Sequence, residues 1–469
     1  MAAAVRTSHA SSPLVSRPVP TDRPTSAVSH GVGLAGLAGL LGWLVLARTL
    51  GTDLATSPLA PMLAIGNADP ALVAAYWSLV ACGLPMILWS LLVDKVHRRA
   101  STGIDWTRPR AVHEILDISI VKLAGLWATW AIIALIYAIG RWYWTGPYLV
   151  SMEIFAHLAP LLLIGSIPYV IWLDRYLVHP RDGAWSFGQL FTGHAATADR
   201  QAIARHLRAW AVKGFFLAFM VSIVPWGFIE LVRLPWENVV RGPVELAHYS
   251  ILLMFLADVH FATVGYLLTM RPLDAHIRTA NPYLAGWVAA LMCYPPFQIM
   301  VATTDPLFYQ ADTRDWAFWL ANYPVLLWSV GAALVFLTGI YGWATVSFGI
   351  RFSNLTHRGI LTHGPYSVSR HPAYVSKNLY WWLATIPFLT VTGSWADGAR
   401  NAVLLLGVNA IYYWRAKTEE KHLLGDAVYR EYYEWMQTHG AIPRLFAWIT
   451  RRPRPLIALT PTVPAIPER

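Results

Sequence analysis

Apolar stretches long enough to cross a bilayer as helices recur along the whole chain, each bounded by a short polar segment. Ten can be read, centred near Leu41, Val80, Trp130, Leu162, Met220, Phe255, Ala290, Leu334, Pro387 and Leu406. The pattern predicts an all-α fold, a polytopic membrane helical bundle of about ten transmembrane helices. Two polar segments, residues 1–30 and 451–469, flank the bundle and are expected to be disordered tails. No small-residue cleavage pattern ends the first apolar run, so that run is expected to stay as an anchor.

Composition agrees: of 469 residues, 56% are hydrophobic and only 13% charged, which excludes an ordinary soluble domain. Two cysteines cannot build a disulfide framework or a four-thiolate metal site. The net charge of +10 would suggest nucleic acid in a soluble protein, but its distribution follows the loops. With the N-terminus in the cytoplasm, the basic clusters at 95–110, 175–208, 271–278, 351–377 and 415–454 all fall on that side. The opposite loops keep only Arg141, Arg233, Arg241, Arg314 and Arg400. The expectation is a multi-pass membrane protein with both termini cytoplasmic, surrounded by membrane lipids and binding no nucleic acid.

Gly33, Gly36, Gly39 and Gly42 superficially suggest a nucleotide loop, but no strand precedes them and every intervening residue is apolar. Close helix packing is the expected use. Ionisable residues inside the apolar runs are Asp117, Lys122, Glu153, His157, Glu230, Asp258 and His260. Glu153, His157, Asp258 and His260 could supply an oxygen and imidazole metal site if their spans met. Buried polar pairing or an acceptor-headgroup pocket is the preferred reading, and no metal is assigned.

Two later blocks concentrate chemistry. The first, 361–378, contains Gly364-Pro365-Tyr366 and Arg370-His371-Pro372-Ala373-Tyr374 between two apolar runs. Pro372 disfavours a helical conformation at His371, so these side chains should project from irregular backbone. The second, 412–423, follows the last run. As a helix it sets Arg415 and Glu419 on one face, with Glu420 rotated onto the next. One carboxylate is expected to be held by Arg415 and the other to be free for a cationic or hydroxylic ligand.

At these two blocks the sequence resembles the isoprenylcysteine carboxyl methyltransferase and phospholipid methyltransferase superfamily. The likeness covers about residues 328–444 and rests on Gly364-Pro-Tyr-x-x-x-Arg370-His371-Pro372-x-Tyr374, Arg415-x-x-x-Glu419-Glu420-x-x-Leu423, and the pair Tyr429 and Tyr432. It implies a methyltransferase-like membrane domain at 324–450, preceded by an N-terminal transmembrane bundle of about seven helices at 31–323. It further implies S-adenosylmethionine as cofactor, bound without a Rossmann domain in a cytoplasm-facing pocket. Cofactor contacts are implied for Tyr366, Arg370, His371, Pro372, Tyr374, Glu419 and Glu420, and catalytic roles for Arg370, His371 and Arg415. Ser376 stands where that family usually has glycine, and the Phe-Gly pair that often follows its acidic motif is absent.

Such a donor carries a carboxylate, an ammonium and a sulfonium, and the two blocks offer cations, carboxylates and aromatic faces for them. The expected acceptor is lipophilic: a prenyl or other lipid carboxylate, a lipid amine, or a small thiol. Two other readings stand beside this one. A membrane reductase of the sterol-reductase type has a similar C-terminal portion with Arg-His-Pro-Asn-Tyr but uses NADPH; here Ala373 replaces that Asn. A noncatalytic membrane scaffold or transporter is the third reading. Taken one block at a time, an anionic-lipid contact at 370–372 and a plain salt bridge at Arg415 are also open.

Overall fold

A computed structural model of the chain describes residues 21–49 and 69–451. The expected tails at 1–20 and 452–469 lie outside the described residues. The helices, in chain order, are α1 (His30–Thr49), α2 (Pro70–Leu88), α3 (Val112–Gly140), α4 (Leu149–Tyr176), α5 (Gly183–Gly188), α6 (Arg200–Arg233), α7 (Trp236–Val239) and α8 (Pro243–Leu267). They continue with α9 (Leu284–Leu291), α10 (Trp316–Leu320), α11 (Pro324–Phe348), α12 (Pro372–Thr385), α13 (Trp395–Leu423), α14 (Ala427–His439) and α15 (Ala441–Thr450). Two-residue strands β1 (Thr279–Ala280) and β2 (Thr356–His357) pair antiparallel, Thr279 opposite His357.

Seven helices among the described residues are long and apolar enough to cross a membrane: α1, α2 with its π-helical extension to Val93, α3, α4, α6, α8 and α11. The fold is therefore all-helical and of the multi-pass membrane class. The remaining three of the ten expected spans take other forms. Near Ala290 the helix is only eight residues, and a run of turns through Pro295 and Pro296 follows it. Pro387 lies in the loop after α12, which stops at Thr385. Leu406 is inside the 29-residue α13, whose Asn401, Asn409, Arg415 and Lys417 dilute its apolar stretch.

The early helices meet at small residues. A side chain added at Gly33 would come within 2.5 Å of the Val346 carbonyl, one at Gly36 within 2.7 Å of Met86, and one at Gly39 would strike the Ala81 carbonyl; Gly42 has open space. Three of the four glycines thus set the approach of α1 to α2 and α11. The main core joins α1, α2, α6 and α8 through Leu40, Met86, Phe228 and Phe261, all fully buried.

The polar loops collect at one end. Arg99 donates to Ala27 O, Arg110 to Leu177 O and Arg271 to Thr102 O, while Arg351 pairs with the buried Asp274 at 2.7 Å. The segment 24–27, expected to be part of a disordered tail, is ordered: Thr362 Oγ1 donates to Pro24 O, Ala27 N donates to Ile360 O, and His363 meets Ser26 at 2.7 Å. Hydrogen bonds to the 360–363 loop, one between backbones and two through side chains, hold it.

The four residues weighed for a metal do not converge. Glu153 and His157 are exposed on α4, the latter bonded to the Glu153 carbonyl. Asp258 accepts from Tyr341 and Thr345, and His260 meets Ser78. Among the described residues no cluster of His, Cys, Asp and Glu could hold a metal ion.

Candidate functional site

The site forms at the basic end, where the α11–α12 connection meets the end of α13. Gly364 has φ +58°, and the 3₁₀ turn Gly364–Ser367 that it opens leads into a bend. His371 has φ −131° and ψ 57°, outside the helical region as Pro372 requires. Pro372 itself is the buried first residue of α12, a position that needs no backbone N–H. It lines neither cavity described below. Its part is to start the helix that carries Tyr374.

From α13, Arg415, Glu419 and Glu420 meet this connection. Arg415 Nε lies 3.3 Å from Glu419 Oε1, the expected one-turn pair. Tyr374 OH donates to the same oxygen at 2.5 Å. Asn354, which the sequence reading did not single out, takes the other side of Arg415: Nη2 donates to its Oδ1 at 2.5 Å. The guanidinium is thereby fixed with only 3% side-chain exposure.

Glu420 departs from the expectation of a free carboxylate. Its Oε1 accepts from Arg370 Nε at 2.9 Å and lies 3.2 Å from His371 Nε2, while Oε2 accepts from Lys417 Nζ at 2.8 Å. Burial alone would push its carboxyl upward. The His371 hydrogen bond, the Arg370 and His371 charges and the Lys417 hydrogen bond outweigh that and hold it down to about 2. The 100° rotation that separates two adjacent helical residues gives Glu419 the Arg415 guanidinium and Glu420 the Arg370 and Lys417 cations, while His371 reaches both, its Nδ1 4.0 Å from Glu419 Oε2. Arg370 also lies over the Tyr433 ring at 4.0 Å, and His371 stacks on Tyr374 with centroids 5.6 Å apart.

Two cavities share these side chains as a common wall. One, of about 170 Å³, is lined by Tyr366, Arg370, His371, Tyr374, Arg415 and Glu419, with Tyr294, Tyr341, Lys377 and Tyr412 deeper in. The other, of about 400 Å³, is bounded by Arg370, His371, Tyr374, Tyr412 and Glu420, and by α14 and the start of α15. Glu419 and Glu420 thus face different spaces. Tyr432 donates to the Tyr366 carbonyl at 2.6 Å and holds α14 against the first cavity.

The β1–β2 ribbon supplies another wall. Its His357 and the nearby His422 line the first cavity, and Thr279 Oγ1 meets His422 Nε2 at 2.9 Å. Burial lowers His357 to about 4, with Asp426 opposing and Arg278 and Arg351 assisting. Burial, then the His357 and Arg208 charges, lowers His422 to about 3. Both rings are neutral at pH 7 and can offer one donor and one acceptor each. No role was assigned to His357, His422 or Asn354; the signal that could have found His357 and Asn354 is a polar run, Ser353-Asn354-Leu-Thr356-His357-Arg358, directly after a spanning helix, and His422 lies in the 412–423 block itself.

The arrangement contains fixed carboxylates, buried cations and aromatic faces around two partly open cavities, at the end of a membrane bundle. These groups suit a ligand carrying both charge signs. In comparison with known proteins, no family model, curated protein or solved structure matches this chain.

Proposed function

We propose that the protein is an integral-membrane methyltransferase that uses S-adenosylmethionine and acts on a lipophilic acceptor entering from the bilayer. The observation that carries this reading is the meeting of Arg370, His371 and Tyr374 with Arg415, Glu419 and Glu420 around two adjoining cavities. These are the residues on which the family resemblance rests. If 284–315, 372–385 and 395–423 cross as well, the spans number ten, the last three forming irregular or charged crossings protected by protein. Both termini then lie at the basic end, which the positive-inside rule assigns to the cytoplasm.

The residues present fit such a donor. The first cavity alone is below the ~300–1,000 Å³ of small-molecule sites, and the second, at about 400 Å³, falls within it. Glu419 would take the ammonium, the rings of Tyr374 and Tyr412 would face the sulfonium, and the cations of the wall would face the carboxylate. S-adenosylmethionine supplies, when bound, an activated methyl group with a neutral thioether as leaving group. The protein's work is positioning and exclusion of water. Arg415, held by Asn354 and Glu419, keeps the wall rigid, and Arg370 orients an anionic group in either cavity. For an acceptor that must lose a proton, His371 is the available base: Glu420 holds Nε2, leaving Nδ1 to take it.

Calorimetry on the full-length protein tests the reading. Saturable binding of S-adenosylmethionine is expected, with no response to NADPH; NADPH binding without S-adenosylmethionine binding would replace it with the reductase reading. Mass spectrometry of extracted lipids, with enzyme and donor present, should then reveal a species that gains one methyl group. Donor binding with no methylated lipid would favour the noncatalytic reading.

A further inference from the structure

Helix α15 stands apart from the rest of the bundle. It is ten residues long and none of them is buried. At ~1.5 Å per residue it reaches about 15 Å, half of what a span needs. Ile442, Leu445, Phe446 and Ile449 recur at spacings of three and four along one stripe and are 42–64% exposed. Pro443 and Ala447, the more covered positions, occupy another flank. The start of the helix is fixed: Ala441 N donates to Val368 O at 2.9 Å, at the edge of the 364–371 turn. Arg444 falls on the side away from the stripe, Arg451 caps the helix end with φ +53°, and the sequence continues Arg452-Pro-Arg454.

Neither bulk phase suits this element. In water the stripe and the 78% exposed Trp448 would form a contiguous apolar patch. In hydrocarbon the arginines would be costly. The membrane surface satisfies both, and the arginines require it to carry negative charge. We propose that α15 lies in the plane of the membrane at the basic end, its Ile442-Leu445-Phe446-Ile449 stripe sunk to the acyl boundary and its arginines on anionic lipid headgroups. Gly440, Ala441, Ile442 and Pro443 line the larger cavity, so the docked helix sets the rim of that cavity beside the lipid. The inference needs only the multi-pass membrane fold and is independent of any methyl donor.

The test uses the full-length protein in vesicles of phosphatidylcholine, alone or mixed with phosphatidylglycerol. An environment-sensitive fluorophore is placed on Ile449→Cys or on Arg444→Cys, and the parent chain with Cys82 and Cys293 supplies the blank. The 449 label should emit to the blue, resist quenching by iodide, and be quenched by lipids spin-labelled high on the acyl chain. The 444 label should remain open to iodide. Shielding at 449 should increase several-fold with phosphatidylglycerol, weaken in high salt, and fall in the Arg451→Gln, Arg452→Gln double variant. Iodide quenching at 449 equal to that at 444 would overturn the proposal. So would shielding without quenching by spin-labelled lipid, which would mean a second copy or another protein covers the stripe. Lipid shielding that ignores both phosphatidylglycerol and salt would overturn the anionic assignment. Leu445→Glu should abolish shielding at 449; if that variant does not fold, the labels in the otherwise native helix still decide.

Discussion

Two buried charge clusters in this molecule look alike on paper and differ in what surrounds them. Where α3, α4 and α5 meet, Lys122 Nζ lies 2.5 Å from Asp174 and 3.2 Å from Asp182, and Ser119 also donates to Asp174. The helices close tightly over them: a side chain at Gly125 would strike the Ala184 carbonyl and one at Gly188 the Val121 carbonyl. At the basic end, Arg370, His371, Lys417 and Glu420 form an equally dense set, but all four line the larger cavity, and Arg370 and His371 line the smaller one as well. The first cluster uses its charges on itself, between helices in close backbone contact. The second keeps atoms turned toward space. Buried ion pairs therefore do not mark a site; ion pairs with adjoining volume do.

The comparison can be broken most sharply at Lys122. Lys122→Ala leaves Asp174, 1% exposed, without its cation, which should cost about 3–5 kcal/mol. A large fall in melting temperature is expected, with unchanged affinity for S-adenosylmethionine in calorimetry at low temperature. A loss of affinity at unchanged stability would reverse the roles assigned to the two clusters.

Acid titration is the next largest effect. Glu420 is held to about 2 against an ordinary 4.5, so its pairing stabilises the fold fully above pH 4.5 and is lost as pH falls toward 2. The contribution is about 3 kcal/mol at most, from the size of that depression. His357 and His422, lowered to about 4 and 3, act in the same direction over a higher window. They stay neutral in the fold while the unfolded chain takes up protons below pH 6.5, so stability declines from there. Melting temperatures from pH 7 to pH 3 should fall throughout; Glu420→Gln should flatten the lower part of the curve and His357→Gln the upper. Identical curves for all three proteins would remove both assignments.

A smaller change sharpens the site. His371→Ala takes a ring from the shared wall and should weaken S-adenosylmethionine at least about tenfold, or ~1.4 kcal/mol, with little change in melting temperature. Unchanged binding in both His371→Ala and Glu420→Ala would refute the site. The least effect is expected at Lys417, whose side chain is 45% exposed. Lys417→Ala should shift stability by less than about 1 kcal/mol.

Much of this was legible from residue types. The seven apolar helices and the Arg415–Glu419 turn follow from periodicity, and the irregular backbone at His371 follows from Pro372. The segments around Ala290 and Leu406 read as simple spans because apolar content does not reveal where Pro295 and Pro296 interrupt a helix, or that Asn401 and Asn409 find partners in the Ala311 carbonyl and Asn378. The partners of Glu420 were hidden for a different reason. A carboxylate's counterions come from whichever chain segment lies beside it, and nothing local in 412–423 shows that Arg370 and His371 do. Asn354, His357 and His422 carry the same lesson: their places depend on contacts between distant parts of the chain.

The two-residue ribbon pairing Thr279–Ala280 with Thr356–His357 has a consequence for biogenesis. His357 of its second strand lines the first cavity, and Thr279 of its first strand reaches His422 only once the final long helix has been made. The polar wall that His422 completes therefore closes only when the chain has been made as far as residue 422, and a protein cut before α13 would leave Thr279 without that partner.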